Sequence, residues 1–292
     1  MATGIPTNRT NIELPADISA EILQKTQEQS AIMQLARQIT LPGRGIEIPV
    51  ITSDPEAEWV SETGAKPVSN PGLGKKIMTA YKLAVIVPFS NEFRRDAASL
   101  YDALVARLPL ALAKQFDATV AGAIEAPGSN FDTFADCEAQ AIDEETYEGL
   151  VAADADIAAN GGVLNGFAIS PQAKAVLLGA VDGNKRPLFI NSVAEGAIPM
   201  ILGAKTVLSK GMYAPGDEAN TIGIAGDWTQ AMYGTVEGVK IDYSSDACLV
   251  SGDETISLFQ NNMFAVRAEI EVGFRADTDC FNVLTAAPAA SE

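Results

Sequence analysis

Residues 57–93 read AEWVSETGAKPVSNPGLGKKIMTAYKLAVIVPFSNEF. From Ile77 onward the odd positions Ile77, Thr79, Tyr81, Leu83, Val85, Val87 and Phe89 are apolar or β-branched, while Lys76 and Lys82 take the opposite parity. Period two predicts a half-buried β-strand. The thirteen residues 77–89 would run about 43 Å at roughly 3.3 Å each, more than twice a usual strand. Upstream, Gly64, Pro67, Asn70, Pro71, Gly72 and Gly74 are turn formers. The chain is therefore expected to leave along Trp59 and Val60, reverse near 70–74 and return as the long strand. A two-stranded hairpin of that length is not stable alone in water, so it must lie on something.

The 292 residues allow one large domain or two smaller ones, and 47% hydrophobic content is enough for a substantial core. Cys137, Cys248 and Cys280 are odd in number, far apart and without CxxC spacing. Neither a disulfide framework nor a zinc site is indicated, and a reducing compartment fits. No run reaches the length of a membrane span, and the N-terminal MATGIPTNRTNIELPADIS lacks the apolar core of a secretory signal. The Asn8-Arg9-Thr10 sequon therefore carries no weight.

Histidine is absent, which removes Ser-His-Asp and Cys-His nucleophile systems, HExxH zinc sites and the commonest general base together. The net charge of −18 is uneven. Residues 1–120 hold 12 basic and 13 acidic residues, whereas 121–292 hold 8 and 25, and ten carboxylates occur between 121 and 173 without a Lys or Arg. Such a surface repels phosphate backbones.

Residues 1–16 read as an extended polar arm. Asp17 can cap a helix whose stripe (Ile18, Ile22, Leu23, Ile32, Leu35, Ala36) runs to about Arg37. A short strand pair is expected next, broken by Pro42-Gly43-Arg44-Gly45. After Phe89, Ser90 is the expected N-cap of a helix of about thirty residues, with Phe93, Ala97, Leu100, Leu104, Leu108, Leu112 and Phe116 at three- and four-residue spacing. Pro109 should kink it. Residues 143–160 begin DEET and end Asn160-Gly161-Gly162, the start and stop of a further helix. A strand over 163–170 and a helix from Pro171 follow. Near the end, Phe264, Val266, Ala268, Ile270, Val272 and Phe274 form a second long period-two strand, expected to pair with the first.

Motifs of chemistry are weak. GLGKK at 72–76 lacks the upstream glycine of a phosphate loop, and no GxGxxG or GxSxG is present. Asp143, Glu144 and Glu145 suit a helix N-terminus better than acid/base work. Asp154 and Asp156 lack the later glycine and glutamate of a calcium loop, and Trp59 and Trp228 read as sheet or interface anchors.

The order QSAIMQLAR, IEIPV, EAEWVSETG, a Gly/Pro-rich hairpin, YKLAVIVPFSNEF and SLYDALVARLPLALAKQFDATVAG resembles the major capsid proteins of tailed bacteriophages, the Hong Kong ninety-seven fold. FAISPQAKAVLLGAVDGNKRPLF, ILGAKTVLSKGM, AGDWTQA and NNMFAVRAEIEVGFRADTDCFNVLT continue the likeness over nearly the whole chain. The resemblance implies an α+β fold with an N-terminal arm over 1–45 and an extended hairpin loop over 57–82. A peripheral domain with a long spine helix would take 46–56 and 83–145, an α/β axial domain 146–255, and a return strand with the C-terminus 256–292.

It further implies a structural protein of the virion, assembled in the host cytoplasm as hexamers and pentamers of an icosahedral shell that encloses double-stranded DNA without sequence-specific binding. No catalytic residue, cofactor, metal or membrane contact is expected. Only a short arm precedes the matching region, so any scaffolding protein is expected to be separate or already removed, with portal and decoration proteins as further partners. Two other readings stand beside it: an encapsulin nanocompartment shell, and an acidic α/β enzyme or binding domain. Trp59, Lys66, Lys75, Lys76 and Tyr81 are the expected intersubunit contacts. Some family members join a loop lysine to an asparagine with help from a glutamate. Here Lys66, Lys75 or Lys76 would be the lysine, with Asn262 and Glu269 as the other two. More simply, Asn262 starts a strand, Glu269 pairs with Arg267 or Arg275, and the hairpin lysines keep an edge from aggregating.

Overall fold

The structure is a computed structural model that describes residues 26–27, 30–43, 45–53, 59–60, 66, 68, 72–91, 97–143, 145–181, 186–188, 200–216, 218–251 and 254–288. Along the chain these form α1 (Ala31–Leu35), β1 (Arg37–Thr40), β2 (Ile46–Ser53), β3 (Gly72–Met78), β4 (Tyr81–Ser90), α2 (Ala97–Val120), β5 (Glu138–Ala141), α3 (Thr146–Ala159), β6 (Gly166–Ile169) and α4 (Pro171–Gly179). Then come β7 (Met200–Ile201), β8 (Ala204–Leu208), β9 (Asn220–Gly226), β10 (Ala231–Thr235), β11 (Lys240–Ser244), β12 (Cys248–Ser251), β13 (Glu254–Ser257), β14 (Met263–Ala276) and β15 (Phe281–Ala286).

Two larger sheets organise the body. In the elongated one, β14 pairs antiparallel with β4 from Met263↔Ser90 to Val272↔Tyr81, as the two period-two runs led one to expect. Its other edge takes β11 and β10, and β1 joins β10 in parallel. The core face of β14 carries Phe264, Val266, Ala268 and Ile270, packed with Leu108 and Leu112 of α2 and flanked by Leu83, Val85, Val87 and Phe89. Burying each such side chain contributes about 1.5–3 kcal/mol, so the long helix and the long strands hold one another. The expected start at Ser90 is corrected: Ser90 ends β4, and the described helix begins at Ala97. The helix runs through Pro109 as one element. Phe93 and the side chains of Leu100 and Leu104 lie outside the described residues.

The second sheet has the order β5-β15-β9-β6-β8-β7. Leu150, Ala153 and Ile157 of α3 and Leu177 of α4 pack with its Phe167, Ile169 and Leu284. Ser170 caps α4 by accepting from the Ala173 amide at 3.2 Å, ahead of Pro171 in the first turn, as its sequence indicates. Gly161 closes α3 at φ +82°. An aromatic cluster joins the two sheets, with Phe134 and Phe281 ring centres 4.5 Å apart and Trp228 edge-on to Phe281 at 5.2 Å. Gly226 is required there, because a Cβ would stand 2.0 Å from the Phe281 ring.

Several expectations change. The run 77–89 is two strands interrupted at Thr79 and Ala80: β3 pairs with β2, and β4 pairs with β14. Both halves keep one parity, so periodicity cannot reveal a change of partner. The outgoing strand of the hairpin is β2, beginning at Ile46, inside the stretch 46–56 that the sequence reading set in the peripheral domain. β1 and β2 do not pair with each other. The described part of the N-terminal helix ends at Leu35, and Arg37 opens β1; residues 1–25 lie outside the described residues. Sheet membership also crosses the expected boundaries. β10 and β11, within 146–255, belong to the elongated sheet, and β15, within 256–292, belongs to the six-stranded one. Strand partnership is a choice among distant segments, which local pattern does not encode.

Candidate assembly surface

The β2–β3 ladder is a two-stranded sheet that no other described strand joins. Its register runs from Ile46↔Met78 to Ser53↔Gly72. Such a pair is at best marginal alone in water, and it carries large apolar side chains in solvent: Ile46 and Ile77 on the ladder, Trp59, Val60 and Val68 beyond it. Trp59 is wholly exposed. Pro49 sits within β2, and Lys75 donates to Glu47 at 2.8 Å, both devices that discourage indiscriminate edge pairing. The hydrogen bond and charge of each partner hold Glu47 below and Lys75 above their ordinary pKa.

The structure divides the expected contact residues. Trp59, Lys66 and Lys75 are exposed. Lys76 and Tyr81 turn inward. The Lys76 ammonium donates to the Ala276 carbonyl at 2.9 Å, and the Tyr81 hydroxyl accepts from the Asn130 amide at 3.2 Å while its ring meets Phe131 edge-on at 6.2 Å.

The expected crosslink set is not gathered within the subunit. Asn262 precedes β14 at φ +53°, and its side-chain oxygen and carbonyl accept from the Asn91 side-chain and backbone amides, both at 2.9 Å. Glu269 lies six residues into β14 from Met263, about 20 Å along the strand. It faces Lys82 at 2.9 Å and Arg267 at 3.9 Å on the side of the sheet away from α2. There Arg267 also pairs with Asp242, and Lys82 reaches Glu271 at 3.4 Å.

Two buried charged groups escaped the sequence reading. Asp117 of α2, completely buried, accepts from the Ser30 hydroxyl at 2.5 Å and the Ala31 amide at 2.9 Å, so it caps α1 from the long helix. Arg275, nearly buried on β14, pairs with Asp132 at 2.5 Å. The available signal was a lone charge inside an apolar pattern, after Phe116 and after Phe274 respectively.

The acidic start of α3 borders an open cleft of about 590 Å³ lined by Glu145, Tyr147, Glu148, Val176 and Leu188. The Glu148 carboxyl raises the pKa of Glu145. Asp143 is engaged as an acceptor for the Ala287 amide at 2.8 Å. Cys137 is pushed up to about 12 by burial and by Asp136 and Asp279, leaving an unreactive thiol. Among the described residues no cluster of metal-ligating side chains occurs.

A body of two interlocked sheets with a strand pair that no other described strand joins has the form of an assembly subunit. Residues 11–280 match the phage capsid family, and the chain belongs to that family; its role is structural, as a subunit of a phage capsid. The chain is 27% identical to the probable major capsid protein gp17 of Mycobacterium phage D29, over 93% of this chain and 89% of that one. It is 25% identical to the major capsid protein of Staphylococcus phage 80alpha, over 93% and 84%. Solved structures share the fold. The chain from Gordonia phage Cozz superposes with a TM-score of 0.70 at 21% identity, covering 89% of this chain and 87% of that one. A chain from the capsid of an empty GTA particle does so at 0.64 and 14%, covering 98% and 96%. The family match supports a phage capsid subunit and gives no support to a nanocompartment shell or an acidic enzyme.

Proposed function

We propose that this chain is the major capsid protein of a tailed phage, which assembles through hexamers and pentamers into an icosahedral shell around double-stranded DNA, held without sequence-specific contacts. The six-stranded sheet with α3 and α4 acts as the axial domain that closes the rings, and the elongated sheet with α2 as the peripheral domain. The β2–β3 hairpin lies across a neighbouring copy, with Trp59, Lys66 and Lys75 toward it, and the N-terminal arm crosses another. Assembly takes place in the host cytoplasm, alongside separate scaffolding, portal or decoration proteins. Catalysis has no part in this role.

The observation that carries the reading is the β2–β3 ladder, whose exposed Ile46 and Ile77, with Trp59 beyond it, find no cover among the described residues. Burial missing within one subunit is then supplied between subunits, as closed symmetric assembly allows. Size-exclusion chromatography and electron microscopy of the expressed protein test it. Megadalton closed shells, with nuclease-protected DNA when taken from lysed host cells, are the expected result; a stable monomer overturns it.

A further inference from the structure

Where the β2–β3 ladder leaves the body, several segments converge. Arg275 donates from Nε to the Ile77 carbonyl at 2.8 Å, from Nη2 to Asn130 Oδ1 at 3.1 Å and from Nη1 to Asp132 Oδ1 at 2.5 Å. The other Asp132 oxygen accepts from the Ala276 amide at 3.1 Å and lies 4.0 Å from Lys76 Nζ. Met78, the last residue of β3, is fully buried. Beside it Gly45 takes φ +81°, and a Cβ there would stand 2.5 Å from the Met78 carbonyl oxygen. One guanidinium thus grips the root of the hairpin, the strand β14 and the loop between α2 and β5.

The planar guanidinium presents five donors in a rigid fork, so three partners on two other segments, β3 and the loop after α2, fix three distances at once. A buried ion pair of this kind adds little net stability, because desolvation offsets its attraction. Its consequence is directional. The eight residues of β2 extend about 26 Å, and a tilt of roughly 10° at the root would carry the far end about 5 Å sideways, enough to miss a fitted contact.

We infer that Arg275 and Asp132 are positioning residues for assembly: they set the angle at which the hairpin leaves the body, and through it the curvature of the shell. This rests on the reading of the hairpin as an intersubunit strap. Three variants separate the two ideas: Arg275→Lys, which keeps the charge but loses the fork; Lys76→Gln, which weakens the second link; and a chain in which 54–71 is replaced by a short Gly-Ser turn. Hydrogen exchange across β4 and β14 reports the fold, and electron microscopy reports particle yield and diameter.

Arg275→Lys is expected to keep wild-type protection in β4 and β14 while giving misshapen particles, a broadened range of diameters or no particles, with Lys76→Gln a milder version. Uniform particles of wild-type diameter from Arg275→Lys overturn the inference. So does a broadening that comes with lost protection across β4 and β14, since Arg275 then serves the fold alone. If the shortened hairpin assembles normally, the strap reading itself fails; if it does not assemble while Arg275→Lys does so uniformly, only the clamp fails.

Discussion

Lys82 and Glu269, 187 residues apart in the chain, meet at 2.9 Å across the β4–β14 ladder. Glu269 is only 15% exposed and faces Arg267 as well. Its hydrogen bond and charge, followed by those of Glu271, hold the Lys82 ammonium above its ordinary pKa. A carboxylate set between two cations has its oxygens occupied as acceptors of charge-assisted hydrogen bonds. With Asn262 bonded to Asn91 at the far end of β14 and Lys75 bonded to Glu47, the set Lys75, Asn262 and Glu269 is committed elsewhere within the subunit. Mature particles boiled in detergent are expected to run as one band at the 30.6 kDa monomer mass. A ladder of multiples would show the bond to form.

Replacing 54–71 with a short Gly-Ser turn should leave a soluble subunit with the unfolding transition of the wild type, because the described residues of the cores beneath β4 and β14 and beneath the six-stranded sheet all lie outside that stretch. Shell yield should fall at least tenfold. Normal yield by sedimentation would remove the hairpin from assembly.

Burial pushes the Asp117 carboxyl up to about 6, against the pull of hydrogen bonds from Ser209, Ser30 and the Ala31 and Ile32 amides. A carboxyl raised in the folded state favours folding when protonated. Its contribution is complete below its ordinary value of 3.8 and is lost as pH rises through about 6. In urea unfolding of the subunit, the stability difference between wild type and Asp117→Asn should therefore move against the wild type by about 2 kcal/mol between about pH 4 and about pH 7. A difference that is flat with pH would contradict the raised pKa.

The acidic face around α3 offers a prediction about filling. DNA must slide as a shell fills, and each phosphate gripped adds a salt-dependent contact that resists it. If that face borders the lumen, exposed Glu145, Glu148 and Asp154 keep the wall slippery. Their joint replacement by lysine should permit empty shells yet lower the fraction of DNA-filled particles several-fold. Asp143 is left in place because it holds the Ala287 amide, and Glu144 lies outside the described residues. Filled particles at wild-type yield would place the acidic face elsewhere or leave it without this role.

Much of the fold was legible because it is local. Period two in 263–276 became β14, the three- and four-residue spacing through Leu108, Leu112 and Phe116 became α2, and Asn160-Gly161 and Pro171 marked helix ends where they stand. The candidate surface was legible in part. Of the five expected intersubunit contacts, Trp59, Lys66 and Lys75 are exposed in the subunit and so accessible to a neighbour. The other two, Lys76 and Tyr81, turn inward to Ala276 and Asn130.

What the sequence alone determined is which segments are strands and helices and which face of each is apolar, since both follow from the spacing of side chains along one backbone. Only the tertiary structure decided which strand meets which. The run 77–89 has one parity throughout, but its first part closes on β2 and the rest on β14. Likewise β10 and β15 take partners outside their stretch of chain. Asp117 and Arg275 follow the same rule. A buried charge is tolerated only where distant donors or acceptors satisfy it, and those partners, Ser30 and Asp132, lie 87 and 143 residues away.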